Sequence, residues 1–102
     1  MKYKVKILKY KKELMIEIFE DDFHEFPIIY SPISIVNKNY QFNIFSKQGE
    51  IKNVVNNLIK DDYISLLKVT NDYSSYFRNG DEFIYDKQYT FSLTSKALLE
   101  LL

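Results

Sequence analysis

The tightest local constraint in this chain is the dipeptide Asn79-Gly80, set inside "YSSYFRNGDEFIYDKQYTFSLT", residues 73–94. A two-residue hairpin loop that matches the twist of its strands needs positive φ at both central positions, and Asn-Gly meets that need at least cost. Phe83 and Tyr85, then Tyr89, Phe91 and Leu93, alternate at period two after it. A strand is therefore predicted from about Glu82 to Leu93. Before the turn, "YISLLKVT" (63–70) predicts its partner, which continues into the hairpin. After the strand, Thr94 is a good N-cap, and "SKALLELL" predicts a short helix with Leu98, Leu101 and Leu102 on one side.

A second constraint lies upstream, in "GEIKNVVNNLIKDD" (49–62). Ile51, Val54, Val55, Leu58 and Ile59 fall at i, i+3, i+4, i+7 and i+8, one apolar helical stripe. Ser46 is the candidate cap, with Gly49 and Glu50 in the first turn. The first third is less determined. "MKYKVKI" alternates apolar residues with Lys and favours a strand. From Ile7 onward, Ile7, Leu8, Leu14, Met15, Ile18 and Phe19 share a helical face and Glu13, Glu17 and Glu20 another, so a helix over residues 8–22 is the expectation. A second strand, with Leu14, Ile16 and Ile18 alternating, is its competitor. In residues 24–46, "SPISIVNKN" (31–39) fits a short helix with Ser31 as cap and Pro32 at its first position. "NYQFNIF" fits a strand with Tyr40, Phe42 and Ile44 on one face.

With 102 residues and 46% hydrophobic content, the expectation is one domain around one core. Cysteine is absent, which excludes disulfides, thiolate metal sites and cysteine nucleophiles. The N-terminus alternates Lys with apolar residues and lacks a signal-type apolar run, and no segment approaches the roughly 18 residues of a membrane span. A cytoplasmic location is expected.

Net charge is zero, but it is segregated. Residues 1–12 carry six Lys and no acid, and residues 13–25 carry six acids and no Lys or Arg. The neutral total counts against strong nonspecific nucleic-acid binding, while the segregation keeps a local basic face possible.

Catalytic constellations are missing. There is one histidine, His24, which with Asp21, Asp22 and Glu25 forms an acidic cluster. Its simplest reading is a solvated loop, not a cation site. Two isolated glycines cannot build a phosphate-cradling loop, and no serine sits in a nucleophile turn. The chain is read as a non-enzyme without metal or cofactor. Exposed aromatics beside cations can stack single-stranded bases, and Tyr73, Tyr76 and Phe77 next to Arg78 are the ones least assured of burial.

The order helix 49–62, strand, Asn79-Gly80 hairpin, strand and final helix resembles the second half of winged-helix DNA-binding domains. Phe91-Ser92-Leu93-Thr94-Ser95-Lys96-Ala97-Leu98-Leu99 is similar to the first nine positions of the "Y-x-L-T-x-x-G-x-x-L-L" exit from the wing of that family, with Phe for Tyr and Ala for Gly. The resemblance covers residues 46–102. It implies a winged-helix-like α+β domain acting as a sequence-specific DNA-binding regulator. Helix 49–62 would enter the major groove with Lys47, Gln48, Lys52, Asn53, Asn56 and Asn57, and Arg78 and Asn79 would be wing contacts. Such a domain needs two earlier helices, supplied by 8–22 and 31–39. Leu98, Leu99, Leu101 and Leu102 exceed one buried stripe, so a homodimer through Leu98, Leu101 and Leu102 is expected.

A second reading stands beside it. If residues 1–20 form a hairpin and 40–46 a strand, the chain is a mostly antiparallel sheet with one or two packed helices. That form suits a small protein-interaction module, an inhibitor or adaptor, working through a charged surface.

Overall fold

The computed structural model describes residues 2–21, 25–47 and 51–102. Its chain order is β1 (Lys4–Tyr10), β2 (Glu13–Phe19), β3 (Ile29–Val36), β4 (Asn39–Ser46), α1 (Asn53–Lys60), β5 (Ile64–Arg78), β6 (Asp81–Leu93) and α2 (Ser95–Leu101). The six strands form one antiparallel sheet in the order β1-β2-β3-β4-β6-β5. This is the sheet-rich alternative. The winged-helix expectation is overturned, because the two helices that must precede the recognition helix are strands.

Residues 8–22 were expected to be helical; residues 8–19 instead run from β1 through a turn into β2, and residue 22 lies outside the described residues. Lys11 takes a left-handed φ of 56° there, and Tyr10 pairs with Glu13 across it. The misleading signal has a physical cause. β2 is apolar on both faces, with Leu14, Ile16 and Ile18 on one and Met15 and Phe19 on the other, and the last four are buried. A strand buried on both sides places apolar residues at i, i+1, i+4 and i+5, which also fits a helix. The β-branched Val5, Ile7, Ile16 and Ile18 in this hairpin favour the pleated form.

Residues 31–39 form the other half of the correction. Asn37 and Lys38 have φ of 50° and 70°, the positive pair that a tight hairpin requires, and Val36 pairs with Asn39 around them. The β3–β4 ladder covers Ser34–Val36 and stops short of Pro32, whose ring nitrogen has no hydrogen to give. Tyr40 and Ile44, half-buried, and the buried Phe42 share the core face of β4, as the strand reading of 40–46 expects.

The core lies on one sheet face. Ile16, Ile18, Ile29, Ile33, Phe42, Tyr89, Phe91 and Leu93 meet Val54, Val55 and Leu58 of α1 and Ala97 of α2. Phe42 and Phe91 are register partners, and their rings stack with centroids 5.7 Å apart. Ala97, the chain's one alanine, is fully buried where α2 closes on the sheet.

Helix α1 is shorter than the predicted 49–62. Ser46 does not cap it: that residue is buried at the end of β4, and Lys52 occupies the cap position without a side-chain bond. Gln48, Gly49 and Glu50 lie outside the described residues. The helix ends in a Schellman arrangement. Asp62 takes φ 64°, its N–H donates to the Ile59 carbonyl, and the Tyr63 N–H donates to the Leu58 carbonyl.

Thr94 behaves as its sequence context demands. Its hydroxyl oxygen accepts the Ala97 N–H at 3.2 Å and donates to the Asp62 carbonyl at 2.6 Å. One side chain thus caps α2 and ties its start to the end of α1.

Candidate interaction surface

The residues expected to read DNA are only partly gathered. Lys52, Asn53 and Asn56 are exposed on the outer side of α1, and Asn57 is half-buried. Lys47 is exposed just past β4. Gln48 lies outside the described residues, as does the side chain of Arg78. Asn79 is exposed at the hairpin turn, with φ 54°. Asp22 and His24 of the acidic cluster also lie outside the described residues. Among the described residues no group of three or more His, Cys, Asp or Glu is placed to hold a metal ion, and no helix is long and apolar enough to cross a membrane.

The terminal leucines divide by face. Leu98 and Leu101 are half-buried against the chain's own core, while Leu99 and Leu102 are exposed.

The polar contacts around α2 form a clasp. The Tyr3 hydroxyl donates to Asp61 Oδ2 at 2.5 Å, and the Tyr63 hydroxyl donates to Glu100 Oε2 at 2.6 Å. Lys96 Nζ lies 4.3 Å from the Tyr63 ring centroid and donates to the Asp61 carbonyl. Partial burial and the bond to Asp61 push the Tyr3 phenol well above its ordinary range. The bond to Glu100 raises that of Tyr63. Both shifts follow from donors that must keep their protons. The clasp joins residues 3, 61, 63, 96 and 100, so the segment before β1 and helix α2 both anchor on the stretch that follows α1.

The two sheet edges differ in kind. The β1 edge carries Lys4, Lys6 and Lys9, with Lys11 and Lys12 in the following turn. Lys4 and Lys6 place their ammonium groups 5.9 and 5.7 Å from the Phe19 ring centroid. An edge lined with lysines resists pairing with another chain. On the β5 edge, by contrast, Leu66, Leu67 and Val69 are each nearly half exposed.

β5 and β6 also outrun the rest of the sheet. The β4–β6 ladder ends at Ser46–Lys87, yet β5 and β6 stay paired to Arg78–Asp81. Six further residues of β6 thus project as a two-stranded ribbon about 20 Å long. Tyr73 is 83% exposed on it and Phe77 74%, and Phe83 and Ile84 are exposed as well. Asp72, Asp81, Glu82 and Asp86 lie among them, against Arg78 and Lys87. The sequence marked Tyr73 and Phe77 but grouped Phe83 with the core alternation. What it lacked was the length of β4, which determines how much of the hairpin has a third strand beside it.

No protein-family profile, curated protein or solved structure matches this chain.

Proposed function

We propose that this chain is a non-catalytic protein-interaction module that binds its partner through the β5–β6 ribbon. The observation that carries this reading is the pair Tyr73 and Phe77, large rings left open to solvent on a projecting two-stranded element. Large exposed aromatic surface is costly in water and is the typical anchor of a protein interface. The ribbon continues strands that the sheet already holds, so a partner that covers it meets a surface that is already formed. The surrounding acids define the partner as an apolar surface rimmed by Lys or Arg.

The DNA reading keeps only the outer face of α1. Its frame is gone, the eight-residue helix is about 12 Å long, and the acidic ribbon repels phosphates.

The test is a cross-linked pull-down run in parallel with three proteins. A partner held by the wild type, lost from Tyr73→Ser/Phe77→Ser and retained by Lys52→Ala/Asn56→Ala supports the ribbon. Both variants should keep the wild-type circular dichroism spectrum. Salt-dependent binding to duplex DNA that fails on changing Lys52 and Asn56, with no protein partner affected by the ribbon variant, overturns the reading.

A further inference from the structure

We propose that Asn79-Gly80 is a site of spontaneous covalent modification, at which the Asn79 amide is lost through a succinimide ring and the isoaspartyl product dismantles the tip of the ribbon. This concerns the dipeptide alone and does not depend on what the ribbon binds.

The chemistry needs only the chain and water. The Gly80 nitrogen attacks Cγ of Asn79. A C–N bond forms, the nitrogen gives its proton to water, and Nδ2 leaves as ammonia. Water then adds to one of the two ring carbonyls. Breaking the new C–N bond gives aspartate on an unchanged main chain. Breaking the original peptide bond gives isoaspartate, whose main chain runs through the former side chain and is one carbon longer. Either product replaces a neutral amide by a carboxylate.

Access to the attacking nitrogen selects Asn79. The chain has eight asparagines, and only this one precedes a glycine. Asn37 is the internal comparison. It holds the same place in the β3–β4 turn, with φ 50° against 54°, but Lys38 follows it. A side chain on the following residue crowds its nitrogen. Gly80 has none, and a Cβ built there meets no atom within 4 Å. Both Asn79 and Gly80 are exposed.

Opening of the turn selects it again. The φ values of 54° and 83° are those of a type I′ turn, whose first central ψ is roughly +30°. That ψ points the Gly80 nitrogen away from the Asn79 side chain, so the ring closes only when the turn opens. The Asn37 turn joins strands that are held on their far sides within a few residues, β3 by β2 from Ile33 and β4 by β6 from Gln41. Past Ser46–Lys87, β5 and β6 pair only with each other among the described residues, and a two-stranded end opens more readily than one flanked by a third strand. The rate of the reaction follows the population of that open form. Once isoaspartate has formed, the loop is too long for the Arg78–Asp81 pair, and the new carboxylate sits beside Asp81 and Glu82. The tip then cannot close again in its original register.

Peptide mapping by mass spectrometry, on the folded chain incubated at neutral pH, reads the site directly. Asn79 should lose its amide many-fold faster than Asn37, with isoaspartate among the products. Unfolding in urea should speed the loss at Asn79 further, because the native turn keeps the ring from closing. Ser75→Gly, opposite Ile84, weakens the ribbon's ladder and should speed it about two- to fivefold. Gly80→Ala loosens the same turn yet should slow the loss several-fold, which marks attack by this nitrogen and not mobility alone. The isoaspartyl fraction, separated by ion exchange, should exchange its Phe77–Phe83 amides faster than the unmodified chain, while Phe42 and Phe91 keep their protection. Four results overturn the proposal. One is an Asn79 that keeps its amide as long as Asn37 does. The second is a Gly80→Ala chain that loses it no more slowly. The third is a rate that neither urea nor Ser75→Gly raises. The fourth is an isoaspartyl fraction whose ribbon exchanges at the unmodified rate.

Discussion

Asp62 and Thr94 show how much of this fold turns on single side chains at helix ends. Asp62 holds a left-handed φ of 64°, a conformation that costs a residue with a Cβ about 1 kcal/mol relative to Gly. The Asp62 carbonyl accepts from Thr94, and a substitution of the side chain leaves that bond intact. Asp62→Gly should therefore stabilise the protein by about 0.5–1 kcal/mol, read as a raised urea midpoint with unchanged slope. Thr94→Ala removes both the acceptor for Ala97 and the donor to Asp62. It should cost about 1–2 kcal/mol in the same assay. The Thr94 cap was legible from residues 93–99 alone, because a cap is a local contract between a side chain and the amide three residues on. Its tie to Asp62, 32 residues away, was not.

At the scale of elements, the glycine-bearing hairpin and the strand over 40–46 were readable, while β2, β3 and the turn after β3 were not. The Asn79-Gly80 hairpin follows from its own two residues, with φ of 54° and 83° as that dipeptide allows. An added Cβ at Gly80 meets nothing within 4 Å, so the cost of Gly80→Ala is in the backbone, about 1 kcal/mol. That cost should appear in the ribbon and not in the core. Hydrogen exchange at Phe77–Phe83 should speed up about fivefold, while amides of Phe42 and Phe91 keep their protection. The Asn37-Lys38 turn has the same backbone but no glycine, so it gave no comparable signal and left 31–39 open to a helical reading. β2 was mistaken for helix because burial on both faces erases the alternation that identifies a strand. In α1 the stripe of Val54, Val55 and Leu58 was correct, while Ile59 at its edge is exposed. The helix starts later than the pattern suggested because Ser46 belongs to β4.

For the whole molecule, the clasp of Tyr3, Asp61, Tyr63 and Glu100 joins the N-terminal segment to the last helix. Both phenols have pKa values raised in the folded protein. A raised pKa means that the folded state holds its proton more tightly than the unfolded chain, whose tyrosines titrate near 10. The stabilisation is therefore complete below about pH 10 and is lost as pH rises beyond it. Unfolding midpoints of the wild type should begin to drop near pH 10 and keep falling as pH rises further. Tyr3→Phe should be less stable at pH 7 and should show a shallower alkaline decline. An equal decline in both proteins would mean that Tyr3 is not part of the linkage.

The sequence by itself determined the local features of this protein: the glycine-bearing hairpin, the cap at Thr94, the apolar stripe of α1 and the absence of cysteine chemistry. Each depends on residues within a few positions of one another, where backbone sterics and side-chain hydrogen bonds act without help. Tertiary structure decided the rest. Whether residues 8–22 coil or extend depends on a partner strand supplied by β3. Which edge is sealed by lysines and which lies open depends on the order β1-β2-β3-β4-β6-β5. Whether Phe83 is core or surface depends on β4 ending at Ser46. Those outcomes rest on long-range pairing, whose energy is not written in any single segment, and they separate a sheet with an open aromatic ribbon from the winged helix suggested by residues 46–102.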